Sequence, residues 1–241
     1  MVNLLFTEIL KLKRSRMFLL SMIGAAVAPF MVVIASSIDT ELREPVLFAE
    51  LFAQTNLYVT LLIGVPLYGV VTAYVFNREY AEDTLKNLLT LPVSRISIMA
   101  SKMLLLFLWI MLLTVLAWGL TLALGLIGRF GGFGTGLMWE AFRQFMTAGA
   151  LLFVLSTPIV LTSVVMKNYV PSIVLSIVIT LINVMGYNSD RRGLIPWTAA
   201  MDIANGALFP RYPAFYSYAS IAATSLICFI AAITYFRKAD I

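Results

Sequence analysis

Residue types that support catalysis are scarce in this sequence. It has no histidine and a single cysteine, Cys228, so the commonest general base is missing and neither an internal disulfide nor a thiolate pair can form. The ionisable residues are concentrated in one stretch, where the window 78–102 holds three acids and four bases. We therefore expect no catalytic, cofactor-binding or metal-binding residue, and this stretch is the main candidate for function.

Acids precede bases within that stretch. Glu79, Glu82 and Asp83 come first, whereas Lys86 and Arg95 follow. This order suits the two ends of a short helix, because acids are favourable near a helix N-terminus and bases near its C-terminus. The charges therefore predict a short helix in this window.

The same stretch carries an apolar face. Leu85, Leu88 and Leu89 fall at the i, i+3, i+4 spacing of one helical face, and Pro92 ends the helix near Leu91. A short amphipathic helix held between two transmembrane helices would be a mechanical handle, because a partner that grips it moves both helices together. A solvated loop against the lipid headgroups fits the composition equally well.

The elements that position this stretch follow from an excess of apolar residues. The chain of 241 residues is 61% hydrophobic and 12% charged, whereas soluble domains average about 45–50% and about 25%. A soluble domain of this size could not hide so much apolar surface, so we infer that lipid is its second solvent. The basic residues behind the net charge of +5 lie beside apolar runs, which favours a membrane protein over a nucleic-acid-binding one.

Six stretches without a charged residue are long enough to cross a bilayer, which takes about 20 apolar residues. They are interpreted as helices, because strands of a membrane barrel would alternate apolar and polar residues. A tight turn at Lys167 and Asn168 divides the longest apolar region into two spans. The sequence thus predicts a single all-α transmembrane domain over 1–241, with spans at 17–38, 51–77, 103–128, 144–166, 168–189 and 212–236.

Lysine and arginine predict the orientation of these spans. If the N-terminus lies inside, the inner segments hold 11 of the 17 bases. The positive-inside rule therefore places both termini in the cytoplasm, and with them the segment 78–102.

Two further segments lie outside the predicted spans, one before the first span and one between the fifth and the sixth. Residues 1–16 place Asn3, Thr7 and Lys11 on one helical face and apolar residues on the other, which predicts an interfacial amphipathic helix. A simple extension of the first span is the alternative. Residues 187–216 are the longest outer segment, and short helices in the outer leaflet or an ordinary surface loop fit them equally well.

The charged segment resembles a known family. Its pattern is similar to the cytoplasmic signature of permease subunits in type-2 ATP-binding-cassette exporters, and the start of the chain, Glu8 to Ser15, is similar to the start of those permeases. Within the family the resemblance is to the bacterial bacitracin and lantibiotic-immunity branch. The residues that carry it are Arg78-Glu79, Thr84-Leu85-Lys86-Asn87-Leu88-Leu89, Pro92-Val93-Ser94-Arg95 and Lys102.

The resemblance implies a mechanism without catalytic residues in this chain. ATP and Mg would bind a separate ATPase subunit, present in two copies, whose closure shifts the second and third spans. Two permeases, identical or related, would pair around the transport path. The substrate would be amphiphilic, with a peptide antibiotic as the candidate. The coupling helix would use Glu79, Glu82, Asp83, Thr84, Leu85 and Leu88, with Arg95 close by.

Three other classes of membrane protein are weighed against this interpretation. A secondary transporter usually carries ionisable residues within the bilayer, and none of the six predicted spans does. A membrane-embedded enzyme would lack general acid and base groups for the same reason. A channel-like protein would need no handle for a partner.

Overall fold

The computed structural model describes most of the chain, and almost all of the described residues are helical. No strand occurs among them, which confirms the predicted all-α membrane fold. Of the predicted interfacial helix at 1–16, only residues 6–8, 10, 12, 15 and 16 are described, and 6–8, 10 and 12 are helical. Most of the predicted coupling helix lies outside the described residues. The ranges described are 6–8, 10, 12, 15–38, 47–82, 94–208 and 213–238.

Six helical spans are long and apolar enough to cross a membrane, as predicted. The fourth is interrupted once, and a short helix and a 3₁₀ turn at Arg192–Leu194 lie between the fifth and sixth. In chain order the helices are α1 Arg16–Ile38, α2 Phe48–Ala81, α3 Arg95–Ile127, α4 Thr135–Val154, α5 Thr157–Met166, α6 Tyr169–Gly186, α7 Pro196–Ala204 and α8 Ala214–Lys238.

Several helices extend beyond the charge-free stretches that predicted them. The second stretch, 51–77, becomes the 34-residue α2, and the third begins at Arg95 instead of residue 103. At 1.5 Å per residue, α2 is about 50 Å long, against about 30 Å for the hydrocarbon core. A charge-free run therefore predicts the apolar part of a helix, whereas the helix itself continues through the flanking charged residues.

Local sequence features account for the breaks around α5. Pro158 lies in the first turn of α5, where its missing N–H costs no helical hydrogen bond, and α4 ends just before it. At the far end of α5, Lys167 adopts a left-handed backbone with φ of 51°. The Asn168 side chain then accepts a hydrogen bond from Val170 N at 3.0 Å and caps α6.

α2 lies at the centre of the bundle. About two thirds of its apolar window is buried (67%), compared with 22% for α8 and 28% for α1. It packs against α1, α3, α5 and α6, and Tyr68, Val71 and Val75 join the main apolar cluster with Trp109 of α3. A displacement of α2 must therefore be accommodated by most of the bundle.

Candidate functional site

The C-terminal end of α2 and the N-terminal end of α3 are joined by a buried ion pair. We call residues 75–82 and 94–102 the hairpin end. Glu79 and Lys102 bond through Oε2 and Nζ, and each side chain is only 5% exposed. Lys102 also donates to the Val75 carbonyl at 2.7 Å. One lysine thus contacts two points of α2 that lie a helical turn apart.

The surroundings of this pair are apolar. Val75, Phe76, Ile98 and Met99 are all buried in the main apolar cluster, and the Lys102 ammonium lies 5.9 Å from the centre of the Phe76 ring. Removing one partner of such a pair leaves the other charge buried and unpaired, which typically lowers the stability of the fold by about 3–5 kcal/mol. The pair is therefore a link that resists separation of the two helices.

Arg95 connects the hairpin end to the last helix. Its guanidinium donates to the carbonyls of Phe236 and Arg237, at 3.3 and 3.2 Å. These carbonyls belong to the last turn of α8, which has free acceptors and a partial negative charge. The predicted coupling residue Arg95 thus joins α3 to α8 instead of extending into solvent.

Glu82 occupies a different environment from Glu79. It caps the end of α2 and pairs with Arg78 at 2.9 Å within the same helix, with its side chain 51% exposed. Exposed pairs at this spacing contribute about 0.3–0.5 kcal/mol, and solvent screening lowers that further. The carboxylate of Glu82 is accessible to a partner, whereas that of Glu79 is not.

The remaining predicted site residues cannot be compared with the structure. Asp83, Thr84, Leu85 and Leu88 lie outside the described residues. Their assignment to a coupling helix therefore stays a prediction. The described residues place the two ends of that segment, Glu82 and Ser94, at the same end of the bundle as the Glu79–Lys102 pair.

The opposite end of α2 contains a π-helical turn at Val59–Ile63. Such a turn shifts the hydrogen-bond register by one residue, and here the Gly64 N–H bonds to the Val59 carbonyl. A Cβ at Gly64 would lie 2.3 Å from that carbonyl oxygen. Only glycine fits this position, and Pro66, which has no N–H, removes a further regular donor.

Asn183 of α6 compensates for the altered register. Its amide nitrogen donates to the Leu61 carbonyl at 3.0 Å and to the Thr60 carbonyl at 3.4 Å, and the side chain is fully buried. In hydrocarbon, backbone carbonyls of an irregular turn need such donors from neighbouring helices. α6 therefore stabilises the π turn of α2.

A small folded unit covers this end of the bundle. We call the π turn together with residues 187–208 the cap end. The Asn56 amide of α2 donates to Asn205 at 2.8 Å, just after α7, and Arg192 pairs with buried Asp202 at 3.1 Å. Burial raises the pKa of Asp202 above its usual value of 3.8, and Arg192 opposes that shift. Among the described residues of the predicted outer segment 187–216, the structure shows one short helix and a 3₁₀ turn, and their place in the outer leaflet stays a prediction.

Sequence reasoning missed the main contacts at both ends. The pairing of Glu79 with Lys102 was missed because the two residues lie 23 positions apart and no periodicity relates positions on two helices. Arg78 and Glu82 carry a readable signal, the i, i+4 spacing of opposite charges. At the cap end, Asn183 stood out only as a polar residue inside an apolar span.

Comparisons with known proteins decide the class of the chain. The family model described as "ABC-2 family transporter protein" matches residues 4–183, well over half of the chain. That match covers α1 to most of α6, including both helices of the Glu79–Lys102 pair. The chain belongs to the ABC-2 transporter family. The resemblance inferred from residues 78–102 is thereby confirmed.

One relative matches about four fifths of the chain. The bacitracin transport permease protein BCRB of Bacillus licheniformis is 54% identical over 197 residues, which cover 82% of this chain and 95% of that protein. This ABC-2 protein is therefore a membrane-spanning permease, and its family implies an ATPase of the ATP-binding-cassette class as partner. Neither comparison supports a secondary transporter or a channel-like protein.

Proposed function

We propose that this permease exports an amphiphilic peptide antibiotic from the bacterial cell membrane, powered by ATP hydrolysis in a separate subunit. The observation that carries the proposal is the charged segment between α2 and α3, held by a buried ion pair in a chain that belongs to the ABC-2 family. ATP and Mg bind the ATPase subunit, and this chain supplies the element that its closure displaces.

The hairpin end faces the cytoplasm in this proposal, together with both termini. The distribution of lysine and arginine supports that orientation. The ATPase then docks on residues 82–94, where Glu82 is exposed at the end of α2. Asp83, Thr84, Leu85 and Leu88 complete the docking surface, as the family resemblance implies.

Two permeases assemble around the transport path, each with its own ATPase subunit. Six spans are few for a cavity with alternating access, which supports pairing. α6 and α8 offer apolar side chains that the single chain leaves exposed, among them Val174, Ile177, Leu181, Leu226 and Ile230. Lipid covers whatever part of these faces the second permease does not.

Bacitracin is the first substrate to examine. The support is the 54% identity to a bacitracin transport permease that the chain covers almost completely. Growth of a sensitive strain that expresses this chain and its ATPase, measured over a series of bacitracin concentrations, tests the idea. Resistance that depends on both subunits supports it, and resistance to a lantibiotic alone would reassign the substrate within the same class.

A pull-down from mildly solubilised native membranes tests the ATPase partnership. We expect the tagged chain to recover an ATPase of the ATP-binding-cassette class at about one copy per permease, identified by mass spectrometry. The double variant Glu82→Lys with Leu85→Asp should insert normally but lose that subunit, because it reverses a charge and removes an apolar contact of the proposed docking surface. Normal recovery from the double variant would contradict docking at this segment.

A further inference from the structure

The hairpin end holds α2 and α3 together at two levels. Lys102 bonds to the Glu79 carboxylate and, one turn deeper in α2, to the Val75 carbonyl at 2.7 Å. The contact lies in the last turns of α2 and about two turns inside α3, which begins at Arg95. It therefore closes the hairpin immediately below residues 82–94.

This two-point contact restricts sliding and rotation of α3 against α2, as well as the distance between the two helices. If α3 slid along α2, or rotated about its own axis, Lys102 would lose either the carboxylate or the carbonyl. With both side chains 5% exposed, water does not replace a lost bond. The surrounding apolar side chains exclude other partners for the ammonium.

The neighbouring ion pair cannot perform this task. Arg78 and Glu82 both belong to α2, and the Glu82 side chain is 51% exposed. Their bond spans one turn of one helix and leaves the position of α3 unrestrained. Glu79 and Lys102, in contrast, form a charged pair that bridges α2 and α3.

We propose that Glu79 and Lys102 are positioning residues of the transport cycle: a clamp that makes α2 and α3 move as one body when the ATPase displaces residues 82–94. The proposal rests on the proposed function and adds the device that transmits the movement. Because α2 is buried at the centre of the bundle, the clamped pair carries the displacement towards the cap end. Without the clamp, the same displacement is lost as a relative shift between the two helices.

The critical variant removes both charges at once. Glu79→Gln with Lys102→Met removes both charges of the pair, so we expect it to fold, whereas either single change leaves the other charge buried without this partner. Lys102→Arg keeps a cationic donor opposite Glu79 and serves as the conservative variant. The matched control is Glu50→Gln with Lys238→Met, which makes the same two changes at exposed positions of α2 and α8.

The measurement uses the complete complex of permease and ATPase in liposomes and needs no substrate. Each variant carries Cys228→Ser and Leu126→Cys, which places one thiol at the exposed C-terminus of α3, opposite the hairpin end. The rate of maleimide labelling at this thiol is compared without nucleotide and after trapping with ATP and vanadate. Recovery of the ATPase and the rate of ATP hydrolysis are measured on the same samples.

In the parent background and the matched control we expect the labelling rate to change about fivefold with nucleotide, the low end of couplings between distant sites. Glu79→Gln with Lys102→Met should bind the ATPase and hydrolyse ATP within about twofold of the parent, yet show no nucleotide-dependent labelling. Lys102→Arg should retain the change. A full labelling response in the neutral double variant would overturn the clamp.

Failure of the proposed function would look different. The parent complex itself would then recover no ATPase or show no response to nucleotide. If the neutral double variant failed to insert, loss of the labelling response in Lys102→Arg would overturn the clamp, because that variant retains the charge pair.

Discussion

The two ends of α2 are built in opposite ways. At the hairpin end, a buried pair of full charges joins α2 to α3. At the cap end, α2 widens into a π turn whose Leu61 carbonyl accepts from the Asn183 amide of α6. One turn before it, the Asn56 amide of α2 donates to Asn205 beside α7, so the contacts at this end are between neutral groups. Charge pairs in an apolar environment are stiff, whereas single neutral hydrogen bonds in membranes are weak.

The difference indicates a division of labour along one helix. In the proposed function, the hairpin end is where the ATPase displaces the bundle, and the clamp would suppress relative movement of α2 and α3 there. The π turn is an irregular element, of a kind that occurs frequently at functional sites. Variants at the two ends should therefore lower the free energy of unfolding by different amounts. We expect the largest loss at the buried charge pair and the smallest at the exposed contacts.

The largest effect is expected from Lys102→Met alone. It leaves the Glu79 carboxylate buried without its ammonium partner, and we expect a loss of about 3–5 kcal/mol in the free energy of unfolding. Thermal unfolding of the detergent-solubilised permease measures the change. Lys238→Met, which removes an exposed lysine, is the control, and equal stability of the two variants would contradict a buried pair.

The second effect concerns the π turn directly. Gly64→Ala places a Cβ 2.3 Å from the Val59 carbonyl oxygen, so the turn must shift, at about 1–3 kcal/mol. Gly119→Ala is the matched control, because nothing lies within 4 Å of a Cβ there and alanine favours a helix. If Gly64→Ala were as stable as Gly119→Ala, the π turn would be an incorrect description of α2.

A smaller effect is expected from the donor that stabilises the π turn. Asn183→Leu removes the bond to the Leu61 carbonyl, and hydrogen bonds between membrane helices contribute about 0.6 kcal/mol on average. Met185→Leu, at an exposed position of the same helix, should leave the unfolding temperature unchanged. If Asn183→Leu lowered the free energy of unfolding as much as Lys102→Met, the proposed difference between the two ends of α2 would be wrong.

The smallest effect belongs to the exposed pair at the hairpin end. Arg78→Gln breaks the contact with half-exposed Glu82. We expect it to lower the free energy of unfolding by less than about 0.5 kcal/mol, and this difference from the parent should disappear at high salt. Unfolding of the variant and the parent at low and high ionic strength measures it. A loss comparable to that of Lys102→Met would mean that the hairpin end depends on surface charge.

The architecture was predictable because lipid imposes a simple rule on sequence. Charge-free runs of sufficient length gave the six spans, and the resemblance of residues 78–102 gave the family. The ends of the helices were less predictable, since α2 and α3 continue through charged residues into the headgroup layer. Glu79, which the resemblance assigned to a docking helix, lies buried in the last turns of α2.

The contacts between helices were not predictable for a physical reason. Pairing of Glu79 with Lys102 depends on how two helices face each other, and a single sequence contains no measure of that rotation. The π turn is similar, because Gly64 and Pro66 signal an irregular helix without specifying its register. Both features depend on how α2, α3 and α6 pack against one another.

Crosslinking tests the central claim, that residues 82–94 are where the ATPase engages this permease. In a Cys228→Ser background, Leu85→Cys carries one thiol in that segment, and Leu126→Cys carries one at the C-terminus of α3, opposite the hairpin end. With a thiol-reactive crosslinker in membranes that contain the ATPase, we expect a product of the 26.7 kDa permease joined to one ATPase subunit from Leu85→Cys alone. Equal product from both positions, or none from Leu85→Cys, would contradict the account.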